Sequence, residues 1–216
     1  MDPPVKTRRT YDATGRQEQA RRTRTDVLAA AHQLFLSSGY SATTVAAVAR
    51  AARVSTQQIY KTFGNKAGLV KALFDVAIAG DDEPVVMVHR PSLTRVQEEP
   101  DPYAKLRLYA DFVAETAPRH MPVQLLVRAA ADTNPEAAAL WEQLGQERLH
   151  GMTMLARHLA TALQPGVTVD DARDVLWAQN SPELWDLLVT QRGWSPTDFA
   201  AHLAQTLTHA LLPPQP

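Results

Sequence analysis

From Ser55 to Phe63 the chain sets two amides, four hydroxyls and one ammonium around a pair of apolar anchors. Ile59 and Phe63 are four residues apart, so on a helix they share one face, and Thr56, Gln57, Gln58, Lys61 and Thr62 fall on or near the other. An amide side chain donates and accepts at once, which is what the edge of adenine offers in a major groove. Such side chains need a rigid support. Thr43–Ala51 reads as a short helix burying Val45, Val48 and Ala49, with Thr43 as its N-cap, and Ala52-Arg53-Val54 reads as a tight turn. Support helix, turn and second helix together make a helix-turn-helix. The same spacing also suits an ordinary helical hairpin with a solvated polar face.

Charge supplies a second indication. The 216-residue chain has a net charge of −1, but residues 1–80 carry +7 and residues 81–216 carry −8. A basic head on an acidic body, with all four tryptophans (141, 177, 185, 194) in the latter, implies that the head meets a polyanion. Arg21, Arg22 and Arg24 precede the first long helix, and Lys6, Arg8, Arg9 and Arg16 lie further out. A basic arm of this kind either follows the phosphate backbone or stays a solvated tail.

Composition narrows the classes. Apolar residues make up 45% of the chain, enough for a sizeable core. With no cysteine, disulfides, thiolate metal sites and a cysteine nucleophile are excluded. No apolar run approaches the roughly 20 residues of a membrane span, and the basic N-terminus lacks the apolar stretch of a secretory signal. The expectation is a soluble cytoplasmic protein with no membrane partner.

The whole chain reads as helices, so the fold class is all-α. Residues 1–20, with Pro3, Pro4 and Gly15, are expected to form a flexible or partly helical basic arm. Val27, Leu28, Ala31, Leu34 and Phe35 mark a helix face that stops at Gly39. Residues 21–80 then form the helix-turn-helix unit, with Asn65 capping its last helix. The acidic, proline-rich segment 81–102 reads as a linker with room for one helical turn. Residues 103–212 form a helical C-terminal domain, and 213–216 a disordered tail. Within that domain one helix is expected to end at Pro118, a second to bury Leu125, Leu126 and Ala129, and a long third to start at Asn134-Pro135. Ser195 and Asp198 resemble a capping box for the last helix.

Thr43-Thr44-Val45-Ala46-Ala47-Val48-Ala49, Val54-Ser55, Ile59-Tyr60-Lys61-Thr62-Phe63 and Asn65-Lys66-Ala67-Gly68-Leu69 resemble the DNA-binding domain of the TetR family of bacterial transcriptional regulators. Leu34-Phe35 and Gly39-Tyr40 extend the resemblance over about residues 22–75. It implies a homodimer, most often a repressor, that binds an operator and is released by an unknown small-molecule ligand. It places Tyr60 and Lys66 on the phosphate backbone. Thr44 and Ser55 sit at helix starts, where main-chain amides favour phosphate. Gln57 and Gln58 are the candidates for base contacts, with Thr56 and Lys61 beside them. Two residues depart from the pattern. Arg53 stands where the family usually has a glycine, at a turn position that favours positive φ, and Thr62 stands where it often has His or Tyr.

The ligand site is less sharply marked. Tyr103, Tyr109, Phe112, Met121, Gln124, Arg128, Trp141, Met152 and Trp177 are expected to line the interior between helices, as pocket or as plain core. Arg128 could pair with an anionic ligand, or with Asp132 or Glu136. By resemblance, the last two helices (about 170–191 and 196–212) pack against their symmetry mates, with Leu184, Leu187, Leu188, Phe199, Leu203, Leu207 and Leu211 serving two faces. Catalysis finds no support: there is no HExxH, no phosphate-binding glycine loop and no Gly-x-Ser-x-Gly, while His202 and His209 lack a carboxylate at ligand spacing. Neither a metal nor another cofactor is expected.

Overall fold

The computed structural model describes residues 13–80 and 91–215. Among the described residues the chain is all-helical, without strands. Helix α1 (Ala13–Ala42) buries Val27, Leu28, Ala31 and Phe35 and kinks at Gly39, whose φ of +80° only glycine adopts without strain. Residues 13–20, expected within a flexible or partly helical arm, are helical and continuous with the first helix; residues 1–12 lie outside the described residues.

Thr43 does not cap the next helix. Its hydroxyl is buried and donates to the carbonyls of Leu34 (3.0 Å) and Gly39 (2.8 Å), which pins the kink. The cap of α2 (Val45–Ala51) is Thr44, whose side chain accepts from Ala47 N at 3.1 Å. Helix α3 (Thr56–Phe63) is capped by Ser55, and α4 (Lys66–Ala79) by Asn65. Each cap satisfies an amide that would otherwise be orphaned at a helix start.

The α2–α3 turn closes as a Schellman motif. Val54 N donates to Ala49 O at 2.9 Å and Arg53 N donates to Arg50 O at 3.3 Å. Arg53 sits at the left-handed position with φ of +56°, the only non-glycine among the described residues with positive φ. The strain expected of an arginine in place of glycine is thus present, at a cost of about 1–2 kcal/mol.

The body differs from its expected layout at three points. Pro91–Glu98 forms a two-turn helix, α5, where one turn within a linker was expected; buried Lys105 holds its end by donating to Gln97 O at 2.9 Å. Residues 81–90 of that linker lie outside the described residues. Helix α6 (Pro102–Ala131) does not stop at Pro118 but runs through both Pro118 and Pro122. Each proline forfeits one helical hydrogen bond, and packing of α6 on α1, α4, α7 and α10 offsets the loss. Beyond Pro122 the buried positions are Val123, Val127 and Ala130, so the inward stripe is displaced from Leu125, Leu126 and Ala129.

Helix α7 (Pro135–His158) starts at the Asn134 cap, and α8 (Val169–Gln179) at a Thr168–Asp171 capping box. Helix α9 (Pro182–Trp185) continues as a π-helical stretch, Asp186–Gln191. Helix α10 (Pro196–Leu211) opens on the Ser195–Asp198 capping box. One apolar core joins α6, α8 and α10 with the C-terminal half of α7. A second joins α1–α4 with Val123, Val127, Ala137, Leu140 and Leu144, so the helix-turn-helix rests directly on α6 and α7.

Candidate nucleic-acid interface and ligand cavity

Helix α3 buries Ile59 and half-buries Phe63, leaving Gln57, Gln58, Tyr60 and Lys61 exposed on its outer side. Tyr60 is 52% exposed, so its ring is not spent on packing between helices. Thr56 is half-buried at the first turn. The caps Thr44 and Ser55 are both exposed, which leaves the first turns of α2 and α3 facing solvent.

The N-terminal part of α1 joins this surface. Arg21 and Arg24 line a shallow depression with Gln58, Thr62 and Phe63, and the Arg24 guanidinium lies 4.8 Å from the Phe63 ring centre. Arg22 points elsewhere and pairs with Glu18 at 2.7 Å. Lys66 is half-buried: its Nζ sits 4.3 Å from the Tyr40 ring centre and 3.5 Å from Ser41 O. Desolvation lowers its pKa, against the pull of Glu136.

Gly68 sets the junction between α3 and α4. A Cβ there would stand 2.0 Å from Phe63 O, so the first turn of α4 packs under the end of α3 with no room for a methyl group.

A cavity of about 570 Å³ lies in the body. Of the expected lining residues, Tyr109, Phe112, Gln124 and Met152 border it. The other expected residues do not. Met121 is core, and the Tyr103 hydroxyl donates outward to Pro213 O at 2.6 Å. Arg128 is exposed and pairs with Glu183, with its guanidinium 5.9 Å from the half-buried Trp141 ring. Trp177 is exposed, with Arg148 stacked 4.3 Å from its ring centre. Tyr103, Arg128 and Trp141 point away because α6 and α7 present only one face each to the cavity, and Trp177 lies on α8 outside its lining.

Sequence reasoning missed the polar groups that do line it: His120, Arg148, Glu147 and Asn180. The signal for His120 was present, since 109, 113, 116 and 120 recur at helical spacing on α6. His120 is buried and Nδ1 has no hydrogen-bond partner. Burial pushes its pKa down to about 3, with Arg119 and Arg148 adding to the shift, so the ring is neutral at physiological pH. Its ring meets Phe74 of α4 edge-on at 5.4 Å. The Tyr109 hydroxyl donates to Met152 Sδ at 3.1 Å, and burial raises its pKa. Arg148 donates to the backbone carbonyls of Trp177 and Asn180, at the C-terminal end of α8. Desolvation lowers its pKa, and among the described residues no carboxylate lies within ion-pair distance. At the edge of the cavity Lys71 bridges Asp75 of α4 (2.6 Å) and Glu147 of α7 (3.2 Å).

Residues 27–73 match the sequence profile described as bacterial regulatory proteins, tetR family. Residues 27–73, which contain the helix-turn-helix, are thus similar to the DNA-binding domain of that family. The fold is similar to that of NalD, the secondary repressor of the MexAB-OprM multidrug efflux pump in Pseudomonas aeruginosa (24% identity, 92% of this chain and 100% of NalD, TM-score 0.68). It is also similar to a transcriptional regulator from Saccharomonospora viridis in complex with choline (16% identity, 89% and 99% covered, TM-score 0.65). A third similar structure is FadR from Bacillus subtilis in complex with stearoyl-CoA (16% identity, 85% and 96% covered, TM-score 0.64). No curated protein matches the chain. Among the described residues no helix is long and apolar enough to cross a membrane.

Proposed function

We propose that this chain is a cytoplasmic homodimeric repressor that leaves its operator when a small molecule fills the body cavity. One observation carries the reading: α4 serves both sites. Its first turn, at Gly68, supports the end of α3, and its later residues Phe74, Asp75 and Ile78 form a wall of the cavity. A ligand that shifts α4 changes the placement of α3. The ligand must bind the non-DNA conformation more tightly, and each tenfold of preference supplies about 1.4 kcal/mol.

In this reading Gln57 and Gln58 read base edges, with Thr56 and Lys61 beside them. Tyr60, Lys66 and the amides behind Thr44 and Ser55 hold phosphates, while Arg21, Arg22 and Arg24 extend the backbone contact from α1. Residues 21–80 bind DNA and 103–212 carry the ligand and dimer functions. We assign the dimer contact to α10 and the α8–α9 region with its π-helical continuation, where Trp177 and Leu187 are 39% and 51% exposed. Leu203, Leu207 and Leu211 of α10 are buried within the chain, so its outward face offers the smaller Ala201 and Ala204. No catalytic role is assigned.

Selection of binding sites from random DNA tests the proposal. The expected result is a two-fold site with half-sites about one helical turn apart or a multiple of it, bound by a dimer. Recovery of no preferred sequence, or a monomer at micromolar concentration, would overturn it.

A further inference from the structure

Similar folds hold a quaternary ammonium in one case and an acyl-CoA in another, so the fold leaves the ligand's charge open and the lining must decide it. Every charged group on this cavity is already engaged. Asp75 and Glu147 share Lys71, at 2.6 and 3.2 Å. A cationic ligand would have to compete with that ammonium. Arg148 is fixed on two helix-end carbonyls and stacked on Trp177. An anionic ligand would gain this one partly compensated cation and meet two carboxylates on the same lining.

The hydrogen-bonding capacity left unspent belongs to neutral groups. His120 Nδ1 and Asn180 Oδ1 are both buried without a partner, and both residues line the cavity. An unpaired buried polar atom is costly, and a ligand that pairs it recovers that cost. Asn180 Oδ1 can only accept, so it calls for an O–H or N–H. Most of the rest of the wall is apolar and aromatic, led by Phe74, Leu93, Val96, Phe112 and Leu144, although Gln97, Thr116, Gln124, His150 and His158 also line it. From this lining we infer that the ligand is an uncharged, largely apolar or aromatic molecule carrying a hydroxyl or amide donor, anchored by His120 and Asn180.

The inference rests on the proposed ligand role of the cavity, and its test is a binding measurement that does not involve DNA. The full-length protein is titrated by calorimetry at pH 7.5 with four probes of one shape: 4-hexylphenol, hexylbenzene, 4-hexylbenzoate and (4-hexylbenzyl)trimethylammonium. 4-Hexylphenol should bind at least five-fold more tightly than each of the others, the worth of about one hydrogen bond. His120→Phe should erase its advantage over hexylbenzene while leaving hexylbenzene binding within two-fold. Asn180→Ala, which removes the acceptor without adding bulk, should do the same and gives a second reading if His120→Phe folds poorly. Tighter binding of the benzoate or the ammonium, equal binding of hexylphenol and hexylbenzene, or no binding of any probe would overturn the inference. Operator release by the same probes is scored separately: binding without release supports the ligand class and counts against the repressor mechanism.

Discussion

The outer face of α3 and the wall of the cavity are both polar patches on an apolar framework, yet they are built in opposite ways. On α3 the exposed polar groups Gln57, Gln58, Tyr60 and Lys61 lie within five residues of one another on one short capped helix. In the cavity they range from buried His120 to exposed Asp75 and Glu147 and come from α4, α6, α7 and the end of α8, with 60 positions separating His120 from Asn180. A surface that meets a long, regular polymer can be assembled from neighbours along one helix. A pocket that encloses a small molecule has to draw its walls from several elements at once. The first therefore depends on the α2–α3–α4 junction and the second on how α6, α7 and the end of α8 pack beside α4, the helix common to both.

The junction gives the sharpest test. Gly68→Ala drives a methyl group against Phe63 O and should destabilise the chain by about 3 kcal/mol or more, through overpacking against backbone that cannot yield. Thermal melting and gel shift should fall together. An unaffected melt would break the distinction between a rigid junction and an adaptable body.

The cavity side is probed by pH. His120 has a folded pKa of about 3 against an ordinary value near 6.5, so between these pH values the unfolded chain binds the extra proton. Stability is complete above about 6.5 and is lost as pH falls through the window, at up to about 1.4 kcal/mol per pH unit. His120→Phe should flatten the melting temperature between pH 6.5 and 4.5. An equal slope in wild type and variant would place the acid sensitivity elsewhere.

On the α3 side, Gln57→Ala should cost about 1–3 kcal/mol on the preferred site and relax preference at one base pair. Lys66→Ala should instead weaken all sequences alike and reduce the salt slope by about one. The reversed pattern would exchange the two roles. The smallest effect is expected at the turn: Arg53→Gly relieves the +56° strain but loosens the unfolded chain, leaving a net gain of about 1 kcal/mol or less in denaturant melts. A loss of stability would show that Arg53 has compensating contacts.

How much was legible follows the same division. The strained Arg53 and the capping residues Ser55, Asn65, Asn134 and Ser195 were readable because each acts within a few residues of itself. Thr43 was misread as a cap because its partners, Leu34 and Gly39, belong to the previous helix. Pro118 was misread as a helix end because the packing that carries α6 through it comes from four other helices. Among the expected pocket residues, Tyr109 and Phe112 were placed and Arg128 and Trp177 were not. Helical periodicity gives the face of a residue on its own helix, but not which neighbour or void that face meets.

The sequence by itself determined an all-helical chain with a helix-turn-helix near its basic end. Caps, turns and amphipathic spacing are local, and their energies are set by residues only a few positions apart. Only the tertiary structure decided that α4 joins the recognition helix to the cavity. It alone left His120 Nδ1 and Asn180 Oδ1 buried without partners and turned Arg128 out to Glu183. Those outcomes depend on how helices distant in sequence pack against one another, and no local pattern encodes that geometry.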